Sequence, residues 1–222
     1  MLAASWIPQW LIDPMMTMIK WFMEITGSYG MAIILLTVVV RIVILPLTIY
    51  QTKSMKKMQE IQPRIKELQT KYKDNPEKAN QEMMEMYKKE GANPFAGCLP
   101  MLIQLPILWA LFEVFRVFDP VALGYSTQFL WADLAVKDIP LAIMTVVVMF
   151  LQTYLSGGVA TDQNQKIMTW MMPLLFGYIA FTMPTSGIVL YWVVSTAFGI
   201  VQQAIYPGFP RLKGGPGAKG EA

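Results

Sequence analysis

Five apolar runs, at about 29–50, 95–118, 139–159, 167–183 and 187–206, decide most of what this chain can become. A strand of a globular sheet takes 4–8 residues, whereas crossing about 30 Å of hydrocarbon takes roughly 20 apolar residues in a helix. The runs are too long for strands, and lipid leaves no water for the backbone groups of an open sheet. With 55% of its 222 residues hydrophobic, the chain reads as an all-α integral membrane protein with five transmembrane helices.

The remaining segments fit around that core. PMMTMIKWFMEITG, residues 14–27, mixes Met, Ile, Trp and Phe with Lys20 and Glu24, which suits a helix lying in the membrane interface; a frayed tail is the competing account. Residues 1–13 lack a basic start and carry Pro8 and Asp13, so no usual signal peptide is expected. Between the first two runs stand Lys53, Lys56, Lys57, Arg64, Lys66, Lys71, Lys73, Lys78, Lys88 and Lys89, while the loop after the second run offers only Arg116 and Lys137. Basic loops stay on the cytoplasmic side. The reading is therefore an extracytoplasmic N-terminal segment (1–28), a membrane core (29–206) and a Gly-rich, disordered cytoplasmic tail (207–222).

Residues 51–93 carry their own pattern. Met55, Met58, Ile61, Ile65, Leu68 and Tyr72 recur every three or four residues; DNPEK supplies a cap with proline at the first helical position; and Ala79, Met83, Met86 and Tyr87 resume the period. This predicts a cytoplasmic helical hairpin, with Pro63 either kinking its first arm or marking a fresh start. Ten basic side chains against seven acidic ones suit a solvated helix pair beside anionic headgroups; a landing surface for a ribosome or nascent chain, using adaptable methionines, is the alternative.

Several chemistries are excluded or disfavoured. With one cysteine, Cys98, there is no internal disulfide, and with no histidine the commonest metal ligand and general base are missing. No G-x-x-x-x-G-K loop is present to bind nucleotide phosphates. FAGC at 95–98 lies mid-chain behind a charged segment and is a chance match to a lipoprotein box. Asp162 and Lys166 read as solvated loop residues. The expectation is a protein that is not an enzyme and needs neither metal nor cofactor.

The exception to the oily pattern is TVVVRIVILP, residues 37–46, with Arg41 in its middle. Nine residues from Tyr50 at about 1.5 Å each put Arg41 about 13 Å inside the apolar run. An arginine there costs about 2.5–3.5 kcal/mol on insertion scales, so a partner or water-filled recess is expected. Gln104, ten residues along from Pro94, falls about 15 Å in and thus level with Arg41; Gln152 falls about 10 Å in from the same side. Thr37 lies one turn from Arg41 on the same helical face, and the last run adds Ser195, Thr196, Gln202 and Gln203. Each glutamine alone reads as interhelical hydrogen-bonding glue. Together with the arginine they predict a hydrated recess entered from the cytoplasm and closed toward the outside. Trp192, near the outer edge, fits either that recess or ordinary aromatic-belt packing. Pro46, Pro100 and Pro106 loosen helices nearby.

VVVRIVILPLTIYQTKSMKKMQEIQP, LQTKYKDNPEKANQEMMEMYKKEGANPFAGCLPMLIQLPILWALFEVF and TSGIVLYWVVS, in this order and spacing, resemble the YidC membrane protein insertases, and the likeness covers nearly the whole chain. It implies five core helices, a cytoplasmic hairpin and a hydrophilic groove open to cytoplasm and lipid. By motif position, Arg41, Thr37, Gln104, Gln152 and Trp192 correspond to groove residues of that family. Without a large periplasmic domain, the sequence looks like the compact form of Gram-positive bacteria. The resemblance further implies an insertase and chaperone in the bacterial cell membrane, independent of ATP hydrolysis of its own. Its clients would be nascent membrane proteins with acidic extracytoplasmic tails; its partners, lipids and possible ribosome and secretion-channel contacts, but no DNA. The rival function, an anion-binding transporter or channel, rests on the lone intramembrane arginine, but a second intramembrane charge and an internal repeat are both missing from the sequence.

Overall fold

The computed structural model describes residues 9–92, 99–155 and 163–205, apart from the side chains of a few residues within them. In chain order it holds α1 (Gln9–Thr26), α2 (Tyr29–Lys71), α3 (Pro76–Lys89), α4 (Leu99–Val117), β1 (Gln128–Phe129), β2 (Ala132–Asp133), α5 (Ile139–Leu155), α6 (Gln163–Thr182) and α7 (Ser186–Ile205). The chain divides into two compact units: Met1–Val43 with Pro106–Ala222, and Ile44–Leu105.

In the first unit, α1 buries Met15, Ile19 and Met23, a four-residue spacing that defines one face, and exposes Trp10, Trp21 and Ile25 elsewhere. It starts before the expected residue 14, runs through Pro14 and stops where Gly27 (φ 65°) takes the left-handed cap, its N–H donating to the Met23 carbonyl at 2.8 Å. Helix α5 packs on both α6 and α7. A side chain cannot be fitted where they approach closely: a Cβ on Gly177 of α6 would lie 2.2 Å from a Val146 methyl of α5.

The described residues are almost entirely helical, as an all-α chain requires, and the segment between α4 and α5 adds one minimal β-hairpin. Gln128–Asp133 and Phe129–Ala132 pair antiparallel across a two-residue turn. Leu130 adopts φ 55°, a region usually left to Gly or Asn. This hairpin is tied to helix starts. Phe129 occupies the space beside Gly30, where a Cβ would lie 2.2 Å from its ring, and the Leu134 and Val136 carbonyls accept from the first N–H groups of α7, Gly187 at 3.2 Å and Ser186 at 3.0 Å. The Ser186 hydroxyl also donates to the Val136 carbonyl at 2.6 Å. Lys137 sets its ammonium 4.2 Å from the centroid of the Phe181 ring. Lys166, expected in a loop, lies within α6 instead; Asp162 falls outside the described residues.

The second unit contains the helix pair read from the hairpin pattern. Asn75 caps α3 by accepting from the Lys78 N–H at 3.0 Å, with Pro76 at the first helical position, as DNPEK predicted. Ile61, Ile65 and Ala92 form a small core against Met83, Met86 and Tyr87. Arg64 pairs with Glu90 at 2.8 Å and Gln69 lies against the Met83 sulfur, so residue numbers rise on one helix as they fall on its antiparallel partner. The side chains of Met55 and Met58 lie outside those described. Pro63 does not mark a fresh start, because α2 runs unbroken for 43 residues with Pro46 and Pro63 inside it. Near Pro46 the hydroxyls of Thr48 and Thr52 donate to the Leu45 and Thr48 carbonyls at 2.9 and 2.8 Å, bonding back onto their own helix.

Among the described residues two stretches are long and apolar enough to cross a membrane, Tyr29–Ser54 and Ser186–Ile205; Ile139–Leu155 and Trp170–Thr182 are apolar but shorter.

Candidate functional site

Arg41 is the thirteenth of the 26 residues from Tyr29 to Ser54, so it stands at the middle of that apolar stretch. It is half-buried. Its surroundings differ along the helix. On the side of the α2 N-terminus, Ala32, Ile33, Leu36 and Thr37 are all buried, whereas on the other side Ile42, Val43, Leu47 and Tyr50 are exposed. The packed side ends in aromatic contacts: Tyr29 stacks on Phe118 with centroids 6.1 Å apart and meets Phe115 edge-on at 6.3 Å.

The guanidinium faces α7. Its Nε–H donates to the Ser195 Oγ at 2.8 Å and an Nη2–H donates to the same oxygen. Ser195 is itself 3% exposed, so the bonded oxygen is out of water. Tyr191, one turn earlier and also buried, lies within electrostatic range of the guanidinium. Among the described residues no carboxylate pairs with Arg41; Arg64 and Arg116, by contrast, are paired with Glu90 and Glu113. A neutral oxygen thus receives the cation, and among the described residues no carboxylate offsets its charge.

Tyr191, Ser195, Gly199 and Gln202 follow one another at helical spacing and are all buried, giving α7 a small and polar stripe. Gly199 gives that stripe a notch for Gln152 of α5: a Cβ there would approach the Gln152 Nε2 to 2.7 Å. Gln152 therefore packs against α7 one turn beyond the Ser195 that holds Arg41. Trp192 is buried and meets the Phe176 ring of α6 edge-on at 5.4 Å. Thr37 is 1% exposed, with its hydroxyl turned back to the Ile33 carbonyl at 2.6 Å. So Arg41 and Gln152 contact α7, Trp192 belongs to it, and Thr37 lies one turn from Arg41 on α2. Gln104 is half-buried on α4 and belongs to the second unit.

Tyr191 is the residue sequence reasoning passed over, and Ser195 was read as one polar group of the recess but not as the partner of Arg41. Ser195 stood among the polar groups of the last run, yet a serine in a membrane helix ordinarily bonds its own backbone, as Thr37 does here. Its spacing of four from Tyr191 and four to Gly199 was the available signal. Among the described residues no group of three His, Cys, Asp or Glu side chains is placed to hold a metal ion.

Residues 21–209 match the 60Kd inner membrane protein family. The chain is 45% identical over 182 residues to "Membrane protein insertase YidC" of Caldanaerobacter subterraneus, covering 81% of this chain and 85% of that protein. It is 43% identical over 194 residues to the protein of the same name from Wolinella succinogenes, covering 86% of this chain and 35% of that protein. A crystal structure described as an active YidC insertase with its first transmembrane domain resolved superposes with a TM-score of 0.70 at 28% identity, over 92% of this chain and 47% of that one. The chain thus spans most of the first relative and about a third to a half of the other two. With its apolar helices, this likeness makes it an integral protein of the bacterial inner membrane. The chain belongs to the 60Kd inner membrane protein family, that of the YidC membrane protein insertases.

Proposed function

We propose that this chain inserts nascent membrane proteins by receiving an acidic extracytoplasmic segment of the client at Arg41 while the client's apolar segment passes into lipid. The observation that carries the reading is a guanidinium at the middle of an apolar helix whose bonded partner is a neutral hydroxyl. An intramembrane cation costs free energy and is retained where it has work to do. The burial of Ala32, Ile33, Leu36 and Thr37 on the α2 N-terminal side of Arg41 supports a recess closed at that end, and its opening at the other end is part of this reading. Thr37, Gln152 and Trp192 extend that recess along α2, α5 and α7; Gln104 enters on its place in the LIQLP motif.

In this reading α2, α4, α5, α6 and α7 are five spans, the N-terminus lies outside and the C-terminus inside, and α1 rests in the outer interface. The pair formed by α3 and the C-terminal part of α2 stands in the cytoplasm, where its basic side chains meet anionic headgroups and a ribosome or secretion channel. The anion-transporter alternative finds no support among the relatives, which are named insertases.

Energetics allow the step without nucleotide. Some twenty apolar client residues contribute roughly 6–12 kcal/mol on entering lipid, against about 2.5–3.5 kcal/mol for one charged residue at the bilayer centre. A potential of about 100 mV, negative inside, adds about 2.3 kcal/mol for each negative charge carried outward. Attraction between opposite charges about 4 Å apart is near 4 kcal/mol at an effective dielectric of 20, and desolvation reduces it. Arg41 therefore acts on the barrier, and the client's own burial drives the reaction. The test compares acidic and neutral tails on one apolar client: Arg41→Ala should slow the acidic client selectively, and equal slowing of both would refute the assignment.

A further inference from the structure

We infer that Ser195 is the positioning residue of this site: it holds the guanidinium by one edge on a neutral oxygen, leaving the other edge, and the whole positive charge, for a client carboxylate. The inference rests on the reading of Arg41 as the receiver of client acid.

A guanidinium has five N–H donors and two edges able to grip a carboxylate with a pair of parallel bonds. In Arg41 the Nε edge is taken, because Nε–H and one Nη2–H both donate to the Ser195 Oγ. The end-on edge, formed by Nη1–H and the second Nη2–H, has no partner among the described residues. One hydroxyl oxygen has two lone pairs, so two N–H groups saturate it and fix the plane of the guanidinium. The oxygen is rigidly placed, since Ser195 is 3% exposed and packed on α7 between Tyr191 and Gly199.

The chemical identity of this seat decides the specificity. An aspartate there would form two charge-assisted bonds and cancel the charge a client must find. An alanine would leave the charge but free the plane, so the end-on edge would no longer be presented in one direction. A hydroxyl does neither: it orients without neutralising. Threonine keeps that oxygen and should substitute for it, at the cost of fitting one more methyl group.

The experiment uses the full chain reconstituted in liposomes with two clients differing only in the tail, one acidic and one with its acids changed to amides. The readout is the ratio of their insertion rates by protease protection. For Ser195→Asp the ratio should fall about tenfold, to that of Arg41→Ala, with the amide client still inserted. Ser195→Ala should give an intermediate fall and Ser195→Thr a ratio near that of the unaltered protein. If Ser195→Asp keeps the acidic preference, or if Asp, Ala and Thr slow both clients equally, Ser195 is only a packing residue and the inference is wrong. Should Ser195→Asp fail to fold, Ala against Thr decides by the same ratio. An Arg41→Ala control that keeps the ratio refutes the reading of the site itself, and this inference with it.

Discussion

At the scale of single residues, one charge and two small side chains set the site. Arg41 was legible because a charge stands out in TVVVRIVILP, and its need for a partner follows from the cost of placing it there. The identity of the partner was not legible, because a hydroxyl on α7 bonds either its own helix or another with no mark in the sequence. We expect Arg41→Lys to retain more acidic-client insertion than Arg41→Ala, since lysine keeps charge and loses the planar fork. Equal loss in the two variants, measured as initial insertion rate, would show that geometry outweighs charge. The glycines separate by what opposes them. At Gly30 a Cβ meets the Phe129 ring and its Cβ, which are held by the β-hairpin, so Gly30→Ala should destabilise the protein by about 1–3 kcal/mol in detergent unfolding. At Gly199 it meets only the amide end of Gln152, which can swing away. Gly199→Ala should therefore change stability little while weakening any crosslink from position 152 to a stalled client.

Among the elements, helices with a clear period or cap were readable and those interrupted by proline or lacking turn residues were not. The α3 start followed from DNPEK, and the α2–α3 pairing from apolar spacing. Pro63 left two readings open, a kink within one arm or a fresh start, because an exposed proline costs a bond without having to end a helix, and the unbroken α2 removes the second. The hairpin of β1 and β2 was missed because its turn has Leu130 where a Gly or Asn would have announced it. Leu130→Gly should relieve the left-handed backbone, which costs a non-glycine residue about 1–2 kcal/mol, and leave thermal stability equal or higher. A clear loss of stability would mean that the leucine side chain outweighs the strain. In the second unit, Ile65→Ala removes part of a small core, with a cost on the order of 2–4 kcal/mol to that unit. Hydrogen exchange should rise in α3 and stay unchanged in α5 and α7 if the two units open independently.

For the whole molecule, hydrophobic run length carries the membrane class and the motif order carries the family. Among the described residues two runs stand as long apolar helices and two as shorter ones, so composition located the helices better than it set their ends. Gln104 shows the limit at this scale. Counting from Pro94 put it level with Arg41, but counting along two helices says nothing of how two compact units are arranged. The account therefore stands on the first unit, where Arg41, Ser195, Gln152 and Trp192 share α7 as their common support.

The most direct measurement is insertion by the purified full chain alone in liposomes, followed as protease protection of a client whose tail is acidic or amidated. With Arg41 intact the acidic client should insert the faster of the two, and Arg41→Ala should remove that advantage by about tenfold while sparing the amidated one. An unchanged advantage in Arg41→Ala would contradict the central claim that an uncompensated guanidinium within the membrane receives the client's acid.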